Sequence, residues 1–325
     1  MAQLGHSMAD PCDEFQRAIM ATLSWAPDRI EQGRVCHFST NGRRSDRAGW
    51  YRLFEDMSGG VFGCHRSGIV QTWRAAEHLT MTVEERAQQA RRVRAAVTER
   101  QKDQRKQWVR NARCIDEVWR CTVSLKSGDP VSRYLARRGF DHWPLPAVLR
   151  LHPALPYWQE SKKVGVYPAM VAPIVAPNGR IVALHRTYLT DDGCKANVPS
   201  PKKVTGAAGR LAGASIPLQK PMRGCIGIAE GIETALAAWC GSEVPTVAAY
   251  CSGNLAQWHW PTGVQRLVIF ADADSAGREA AETLRARASK ARLSVDMLIP
   301  SDPGADWCDV WAARHAVMIE SRDIA

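Results

Sequence analysis

Residues 266–277 read RLVIFADADSAG, an apolar run that ends in two aspartates and a small-residue turn. An uninterrupted run of branched and aromatic residues favours a strand buried on both faces, as in a parallel sheet. The small residues after Asp274 favour the start of a helix. Two aspartates separated by one residue can direct their oxygens to the same side, and Mg²⁺ is bound by such oxygens. This stretch therefore predicts a strand, an acidic turn that is a candidate metal site, and a helix.

Three further apolar runs alternate with helical stretches around this unit: residues 225–229, 246–251 and 295–299. Strands that alternate with helices indicate a parallel sheet covered by helices on both faces. In the helix after the aspartates, the spacing of Ala276, Ala280 and Leu284 predicts that these three residues face the sheet. The C-terminal part of the chain is therefore predicted to be an α/β domain.

Other acidic residues follow other predicted strands of this sheet. Glu230 follows the first run and precedes Gly231, which permits a sharp turn, and Asp306 or Asp309 follows the last run. Open parallel sheets bind ligands outside the carboxyl ends of their strands, so these acids are expected to lie near the aspartate pair. Together they predict a site for Mg²⁺ or Mn²⁺, which serve phosphoryl transfer. The alternative for any single aspartate is a helix N-cap.

The chain before this domain is β-rich and interrupted by prolines. Residues 170–175 and 181–186 flank a Pro-Asn-Gly turn at 177–179, which predicts a hairpin. Asp129, followed by proline, predicts the start of a short helix that Gly139 ends in the left-handed conformation. An α+β subdomain is therefore expected here.

The first third of the chain contains a β-rich segment and a basic helix. Residues 34–73 alternate short apolar stretches with Gly-rich turns, which predicts strands, whereas residues 82–125 lack Gly and Pro, which favours a helix. The chain has a net charge of +10, and residues 84–113 contain ten Lys or Arg against four Asp or Glu. Such a balance suits a phosphate backbone, and a solvated basic helix face gives the same count.

The chain contains ten cysteines, and no two of them form a CxxC pair. The arrangement nearest to a metal cluster is Cys36-His37 with Cys64-His65, which lacks the two-residue gap between ligands that is usual in zinc ribbons. Free cysteine is commonly a small, buried apolar residue. Zinc is therefore not expected.

Length and hydropathy predict a soluble, cytoplasmic protein with no membrane partner. No apolar run approaches the roughly 18 residues that span a bilayer, and the first residues lack the pattern of a secretion signal. We expect four parts: a small β-rich domain over residues 1–80, a basic helical arm over 81–127, a basic α+β subdomain over 128–222 and the acid-bearing α/β domain over 223–325.

The acidic segments resemble the two signature motifs of the Toprim domain, which bacterial-type primases, topoisomerases and some nucleases share. Glu230-Gly231 after one strand and residues 272–277 (DADSAG) after another agree with these motifs in order and spacing. Residues 134–139 (YLARRG) resemble the YLxxRG segment that opens the catalytic core of DnaG-type primases, and residues 172–186 resemble the hairpin of that core. The resemblance covers residues 128–315.

The N-terminal segment has a second resemblance. Residues 49–51 (GWY) and 60–64 (GVFGC) are similar to the small leading domain of phage and conjugative-plasmid primases of the TraC type. Cellular primases have a zinc ribbon at the corresponding place, and this sequence departs from them by lacking the cysteine pairs. The resemblance implies a primase of a mobile element that does not select its template with a zinc domain.

The resemblances imply a DNA primase with an α/β fold, in which a Rossmann-like Toprim domain follows a basic α+β subdomain and a small β-rich domain. They imply that Glu230 acts as general base or metal organiser near the primer 3′ hydroxyl, and that Asp272 and Asp274 hold Mg²⁺ on the incoming nucleoside triphosphate. Contacts with template or triphosphate are expected from cations on or next to a loop predicted at 191–213, namely Arg186, Lys202, Lys203 and Arg210, and from Arg138. Exposure for solubility would explain the same cations.

Other functions remain as alternatives. A metal-dependent nuclease would use these acids to activate water, and the YLxxRG-like segment argues against it. A non-catalytic DNA-binding or inhibitory protein would keep the fold without activity, and retention of all the acids weakens that alternative. A topoisomerase would need a nucleophilic tyrosine in a separate module, and the six tyrosines form none. The sequence has no GxxxxGK[ST] loop, so the expected partners are single-stranded DNA, nucleoside triphosphates and a separate helicase.

Overall fold

The structure is a computed structural model, and it describes residues 10–42, 46–64, 67–75, 83–141 and 143–323. The chain divides into two compact units, Met1–Gln107 and Trp108–Ala325. The domain boundaries expected after residues 80, 127 and 222 remain predictions.

The first unit contains a short helix packed on an antiparallel sheet, together with the first part of a long helix described below. The elements are α1 (Pro11–Leu23), β1 (Cys36–Phe38), β2 (Gly49–Leu53), β3 (Gly59–Cys64) and β4 (Val70–Arg74), with the strands in the order β1-β2-β3-β4. The Asp10 side chain caps α1 by accepting a hydrogen bond from the N–H of Cys12. Phe15 and Ile19 of α1 are fully buried in the cluster that contains Tyr51 and Phe62. The predicted strands are confirmed.

The cysteines discussed above lie in this sheet. Cys36 is half-buried on β1 and Cys64 is buried at the end of β3, whereas His65 lies outside the described residues. The pKa of His37 is lowered, first by burial and then by the neighbouring charges of Arg47 and Arg100. Desolvation and the charges of nearby cations both disfavour the protonated imidazole, which accounts for this direction.

The predicted basic helix is confirmed as α2 (Val83–Arg120). Its end falls earlier than expected, because Val123 and Ser124 form the short strand β5 (Val123–Ser124) against residues 150 and 151. The boundary between the two units lies within α2.

The second unit contains the end of α2, a short helix and an antiparallel sheet. The further elements are α3 (Pro130–Ala136), β6 (Arg150–Gln159), β7 (Lys162–Val175), β8 (Ile181–Tyr188) and β9 (Lys202–Val204), with the strands in the order β5-β6-β7-β8-β9. Asp129 caps α3, Gly139 has a φ of 80°, and β7 and β8 form the predicted hairpin, so these predictions are confirmed. The loop predicted at 191–213 is wrong in one part, because β9 pairs with the edge strand β8, a partner that local sequence does not specify.

The acid-bearing domain is built on a parallel sheet, as predicted. Its strands are β10 (Cys225–Ala229), β11 (Thr246–Ala248), β12 (Arg266–Phe270) and β13 (Ser294–Leu298), in the order β11-β10-β12-β13. The helices are α4 (Ile232–Ser242), α5 (Ser252–Gln257), α6 (Ser275–Lys290) and α7 (Trp307–Asp323). Alternate residues of β12 pack on opposite sides, Val268 and Phe270 in the cluster with α4 and α7, Leu267 and Ile269 in the cluster with α5 and α6.

One detail of α6 differs from the prediction. Ala276 is exposed, whereas Gly277, Ala280 and Leu284 are buried against the sheet. Asp274 is the N-cap, so the first full turn of α6 places residue 277 in line with 281, 284 and 288. The four-residue spacing of the sequence therefore predicted the buried face correctly at 280 and 284 but assigned residue 276 to it in place of residue 277.

No helix in the described residues is both long enough and apolar enough to cross a membrane.

Candidate metal centre at the carboxyl edge of the parallel sheet

The acidic residues lie at one edge of the parallel sheet because their strands end in the same row. Ala229 of β10 is in register with Phe270 of β12, and Phe270 is in register with Leu298 of β13. Glu230 comes directly after the first of these strand ends, and Asp272 lies two residues after the second. The sheet thus places both carboxylates at its carboxyl edge, where open parallel sheets bind ligands.

Backbone hydrogen bonds hold the third acidic segment against the second. The N–H of Ala273 donates to the carbonyl oxygen of Ala305 at 2.9 Å, and the N–H of Gly304 donates to the carbonyl oxygen of Ala273 at 3.3 Å. Asp306 follows directly after this contact. The segment after β13 is therefore fixed beside the Asp272–Asp274 turn.

Asp272 is the centre of the cluster. Burial raises its pKa first, followed by the charges of four neighbouring acids, to a value of about 7. Those acids are, in order of effect, Glu230, Asp306, Asp274 and Asp309. Within the described part of the chain, Asp272 Oδ1 is buried and has no hydrogen-bond partner. Among the described residues, the charges that act most strongly on this half-buried carboxyl group are thus those of other acids, and all of them raise its pKa.

Glu230 has a similar environment with partial compensation. Its pKa is raised by burial and by the charge of Asp274. The backbone N–H of Ser252, at the start of α5, donates to the carboxylate, and this bond together with the charge of Lys202 opposes the rise. The charges of Asp274 and Lys202 thus act on the pKa of Glu230 in opposite directions.

The remaining acids also serve as helix caps, which was the alternative for each of them. Asp274 Oδ1 accepts a hydrogen bond from the N–H of Gly277 at 2.6 Å. Asp306 and Asp309 each accept a hydrogen bond from the other's backbone N–H, at 3.0 and 3.1 Å. An ionised carboxylate offers about four acceptor sites, so a cap bond leaves capacity for a cation.

The donor set fits a hard divalent cation. Within the described stretches of the chain, no three His, Cys, Asp or Glu side chains are arranged as a ready cage for a metal ion. Mg²⁺ does not need one, because it usually keeps several waters and binds one or two carboxylates plus the phosphates of a substrate. The orphaned oxygen of Asp272 and the four acids around it supply that kind of ligand. Burial and the nearby acids raise the thiol pKa of Cys308 to about 12, so this thiol is protonated at neutral pH.

The structure brings one of the predicted cations to this edge and separates it from its neighbour. Lys202 and Lys203 are consecutive in β9 and therefore point to opposite faces. Lys202 Nζ lies 2.8 Å from a carboxylate oxygen of Glu233. Lys203 Nζ donates to the carbonyl oxygen of Trp158 and lies 3.9 Å from the centre of the Tyr157 ring, on the other face.

The other three predicted cations have different surroundings. Arg186 is the cross-strand partner of Lys203 and donates to the carbonyl oxygen of Val204, and its pKa is lowered by burial. The guanidinium of Arg138 lies 3.9 Å over the Tyr134 ring, and its charge acts on the nearby thiol of residue 308. Arg210 is exposed. Of the three, Arg138 is the one near the acidic edge.

Sequence reasoning missed Glu233 and Tyr134. Glu233 lies in the first turn of α4 and is fully buried, where it accepts hydrogen bonds from Lys202 and from the Tyr134 hydroxyl. Despite the effect of burial, the Lys202 ammonium and these bonds lower its pKa to about 2. A signal was available: Glu233 is the one charged residue in the otherwise apolar run from Ile232 to Cys240.

Two family models match the chain. Residues 225–316 match the model described as the Toprim domain. Residues 109–215 match a model described as a domain of unknown function, DUF7146. No curated protein matches the chain. The Toprim match covers both acidic motifs and the segment after β13.

Several solved structures are similar to parts of the chain. A DNA primase domain from Pseudomonas aeruginosa is 16% identical over 52% of this chain and 55% of that one, with a TM-score of 0.35. The RNA polymerase domain of Mycobacterium tuberculosis primase DnaG is 18% identical over 65% and 82%, with a TM-score of 0.37. Aquifex aeolicus primase, with its zinc-binding and RNA polymerase domains, is 15% identical over 97% and 86%, with a TM-score of 0.41.

At these identities, and with TM-scores below 0.5, the likenesses do not establish a function for this chain. The chain also spans little more than half of the Pseudomonas structure.

Proposed function

We propose that this Toprim-domain protein is a DNA primase, which synthesises short primers on single-stranded DNA by metal-dependent nucleotidyl transfer. The observation that carries the proposal is the acid cluster centred on Asp272, whose pKa is raised to about 7 by burial and by four surrounding carboxylates. Such a cluster is costly unless a cation completes it, and phosphoryl transfer needs cations at the reacting oxygens.

The roles of the acids follow from their surroundings. Asp272 and Asp274 would hold Mg²⁺ or Mn²⁺, with Asp306 and Asp309 completing the negative edge. When bound, the ions would neutralise charge on the triphosphate and on the attacking and leaving oxygens. Glu230 has a raised pKa and would accept the proton of the primer 3′ hydroxyl, because a base is most effective when its pKa approaches the working pH.

The reaction makes one bond and breaks one. The 3′ oxygen would attack the α-phosphorus of the incoming nucleotide, and the bond to pyrophosphate would break. The basic side chains would hold the phosphates. We assign Lys202 and Arg138 to the triphosphate, since they lie near the acidic edge, and Arg186, Lys203 and Arg210 to the template.

The resemblance of the leading segment to phage and conjugative-plasmid primases supports a mobile element as the source of this primase. A replicative helicase would be a separate partner. A nuclease that uses the same acids to activate water is the competing function, and the experiment below separates the two.

The test is incubation of the protein with single-stranded DNA, labelled nucleoside triphosphates and Mg²⁺ or Mn²⁺, followed by a denaturing gel. We expect short labelled products that depend on template and metal, and intact template. Shortened template without labelled products would indicate the nuclease. If the template stays intact and no labelled products form, both functions are contradicted. Asp296→Asn is the matched control, because Asp296 lies in the same sheet but pairs with Arg266 at 2.7 Å, away from the acid cluster.

A further inference from the structure

Glu233 lies three residues after Glu230, in the first turn of α4, and forms an ion pair with Lys202. Glu233 is 6% exposed, and its carboxylate accepts hydrogen bonds from Lys202 Nζ at 2.8 Å and from the Tyr134 hydroxyl. The partners lie 31 and 99 residues away in sequence. Helix α4, strand β9 and helix α3 therefore meet at this one carboxylate.

Lys202 is buried on one side and open on the other. Its side chain keeps 40% of its exposure although its ammonium contacts the buried Glu233. Its charge also lowers the pKa of Glu230, so the ammonium lies within electrostatic range of the acid cluster. One cation thus faces both a buried carboxylate and the candidate metal ligands.

No second charge near Glu233 comes from the adjacent histidine. His185 is 8% exposed, and burial lowers its pKa to about 4, so it is neutral at physiological pH. Among the described residues its Nδ1 has no hydrogen-bond partner. Lys202 is therefore the cation in direct contact with Glu233, and the charges of Lys195 and Glu233 also act on each other.

We propose that Glu233 is a positioning residue for the metal centre: it anchors the Lys202 ammonium beside the acid cluster and prevents it from pairing with Glu230. The anchored ammonium stays open to a phosphate of the nucleotide, a role that rests on the proposed primase function. Its effect on the metal-binding acids does not depend on that function.

The physical reason is competition between carboxylates for one lysine. A flexible ammonium next to several uncompensated acids is drawn to the nearest of them, and a bridge to Glu230 would occupy oxygens and place a positive charge where a metal must bind. Lys202 pairs with Glu233 and not with Glu230, because the attraction between the ammonium and the Glu233 carboxylate acts in a low-dielectric interior and because the Tyr134 hydroxyl fixes the position of that carboxylate. Without Glu233, Lys202 becomes an inhibitor of the site that it otherwise serves.

The experiment measures Mn²⁺ affinity of the full chain by calorimetry, with thermal melting alongside. Glu233→Gln should weaken Mn²⁺ binding about tenfold, because the released lysine pairs with Glu230. The double variant Glu233→Gln with Lys202→Met should return to wild-type affinity or better. Glu282→Gln is the control for charge, since it removes one carboxylate from an exposed pair with Arg285 on α6, and it should leave the affinity unchanged.

Melting supplies a second, independent signal. Lys202→Met alone leaves a buried carboxylate without its cation, so its Tm should fall by about 5 °C or more, and adding Glu233→Gln should recover most of the loss. If Glu233→Gln does not fold, the Mn²⁺ affinity of Lys202→Met is compared with that of the double variant Lys202→Met, Glu233→Gln. Equal affinities support the proposal, and a weaker affinity of the double variant contradicts it.

Two results overturn the proposal: a folded Glu233→Gln protein that binds Mn²⁺ as wild type does, or a double variant that stays as weak as Glu233→Gln. Neither readout needs primer synthesis. If the wild type makes no primers but the variants couple as expected, the primase function fails alone. If primers are made but the variants show no coupling, the positioning role of Glu233 fails alone.

Discussion

Glu230 and Glu233 lie three residues apart, the first before α4 and the second in its first turn, and their pKa values shift in opposite directions. Burial is the largest influence on both carboxylates, and in both it opposes ionisation. The pKa of Glu230 accordingly rises, and the charge of Asp274 raises it further. The pKa of Glu233 instead falls to about 2, because Lys202 and Tyr134 stabilise its ionised form. The presence of a resident cation, more than the depth of burial, separates the two regions.

The difference assigns different tasks to the two regions. A buried carboxylate that is paired with its own cation is closed to other ligands, and removing either partner of the pair is destabilising. A cluster of like charges that has little cationic compensation is destabilising by itself and gains stability when a mobile cation binds. The protein thus concentrates its uncompensated charge at the edge of the sheet where a metal and a triphosphate would enter.

The largest expected effect comes from removing the centre of the uncompensated cluster. Asp272→Asn or Asp274→Asn should reduce primer synthesis by about a thousandfold or more, because the metal loses its ligand. Thermal stability without metal should hold or rise, since one of several like charges is gone. Primer gels and melting curves check this, with Asp296→Asn as the control. If the double variant Asp272→Asn, Asp274→Asn makes primers as the wild type does, the acid cluster does not hold the catalytic metal.

A smaller effect concerns the pH dependence of stability. The pKa of Asp272 is raised from 3.8 to about 7, so its folded form holds a proton more tightly than the unfolded chain does. Its stabilising contribution is complete below about pH 4 and is lost as the pH rises through 7. The full difference would correspond to about 4 kcal/mol, and because the group is partly exposed to solvent we expect about 2 kcal/mol.

The measurement is the difference in unfolding free energy between Asp272→Asn and wild type, in chelator, from pH 4 to 8. A difference is needed because His185 titrates in the same window with the opposite sign: its pKa is lowered to about 4, so its contribution is lost as the pH falls. The advantage of the variant should grow with pH. A flat difference would mean that Asp272 is not the uncompensated acid.

The same two glutamates mark what the sequence could predict. Glu230 follows an apolar run and precedes glycine, so local pattern was sufficient to place it at a strand end and near the aspartates. Glu233 carries no such local signal of its partners, because Lys202 and Tyr134 reach it through the packing of two other elements. The parallel sheet and the hairpin were predictable because their apolar runs are continuous. Three features could not be predicted, because they depend on tertiary contacts or on side-chain geometry. They are the pairing of β9 with β8, the exposure of Ala276 on α6, and the hydrogen bonds by which Asp306 and Asp309 cap each other's backbone N–H.

The smallest expected effect separates the two lysines of β9 through the salt dependence of single-stranded DNA binding. Each phosphate neutralised contributes about 0.7 to the slope of log affinity against log salt. Lys203→Ala should weaken binding and flatten this slope by about 0.7, whereas Lys202→Ala should leave it nearly unchanged, since the two ammonium groups lie on opposite faces of the sheet and Lys202 is assigned to the triphosphate.

Glu230→Gln is the decisive companion in this measurement. An acidic centre repels the phosphate backbone, so the strand must be held by cations elsewhere, and this variant should leave affinity and slope nearly unchanged while primer synthesis stops. Lys290→Ala, an exposed lysine in the last turn of α6, controls for net charge. If Glu230→Gln abolishes binding while the lysine variants change nothing, the template does not pass β9, and the ten cations of residues 84–113 become the path to test by the same slope.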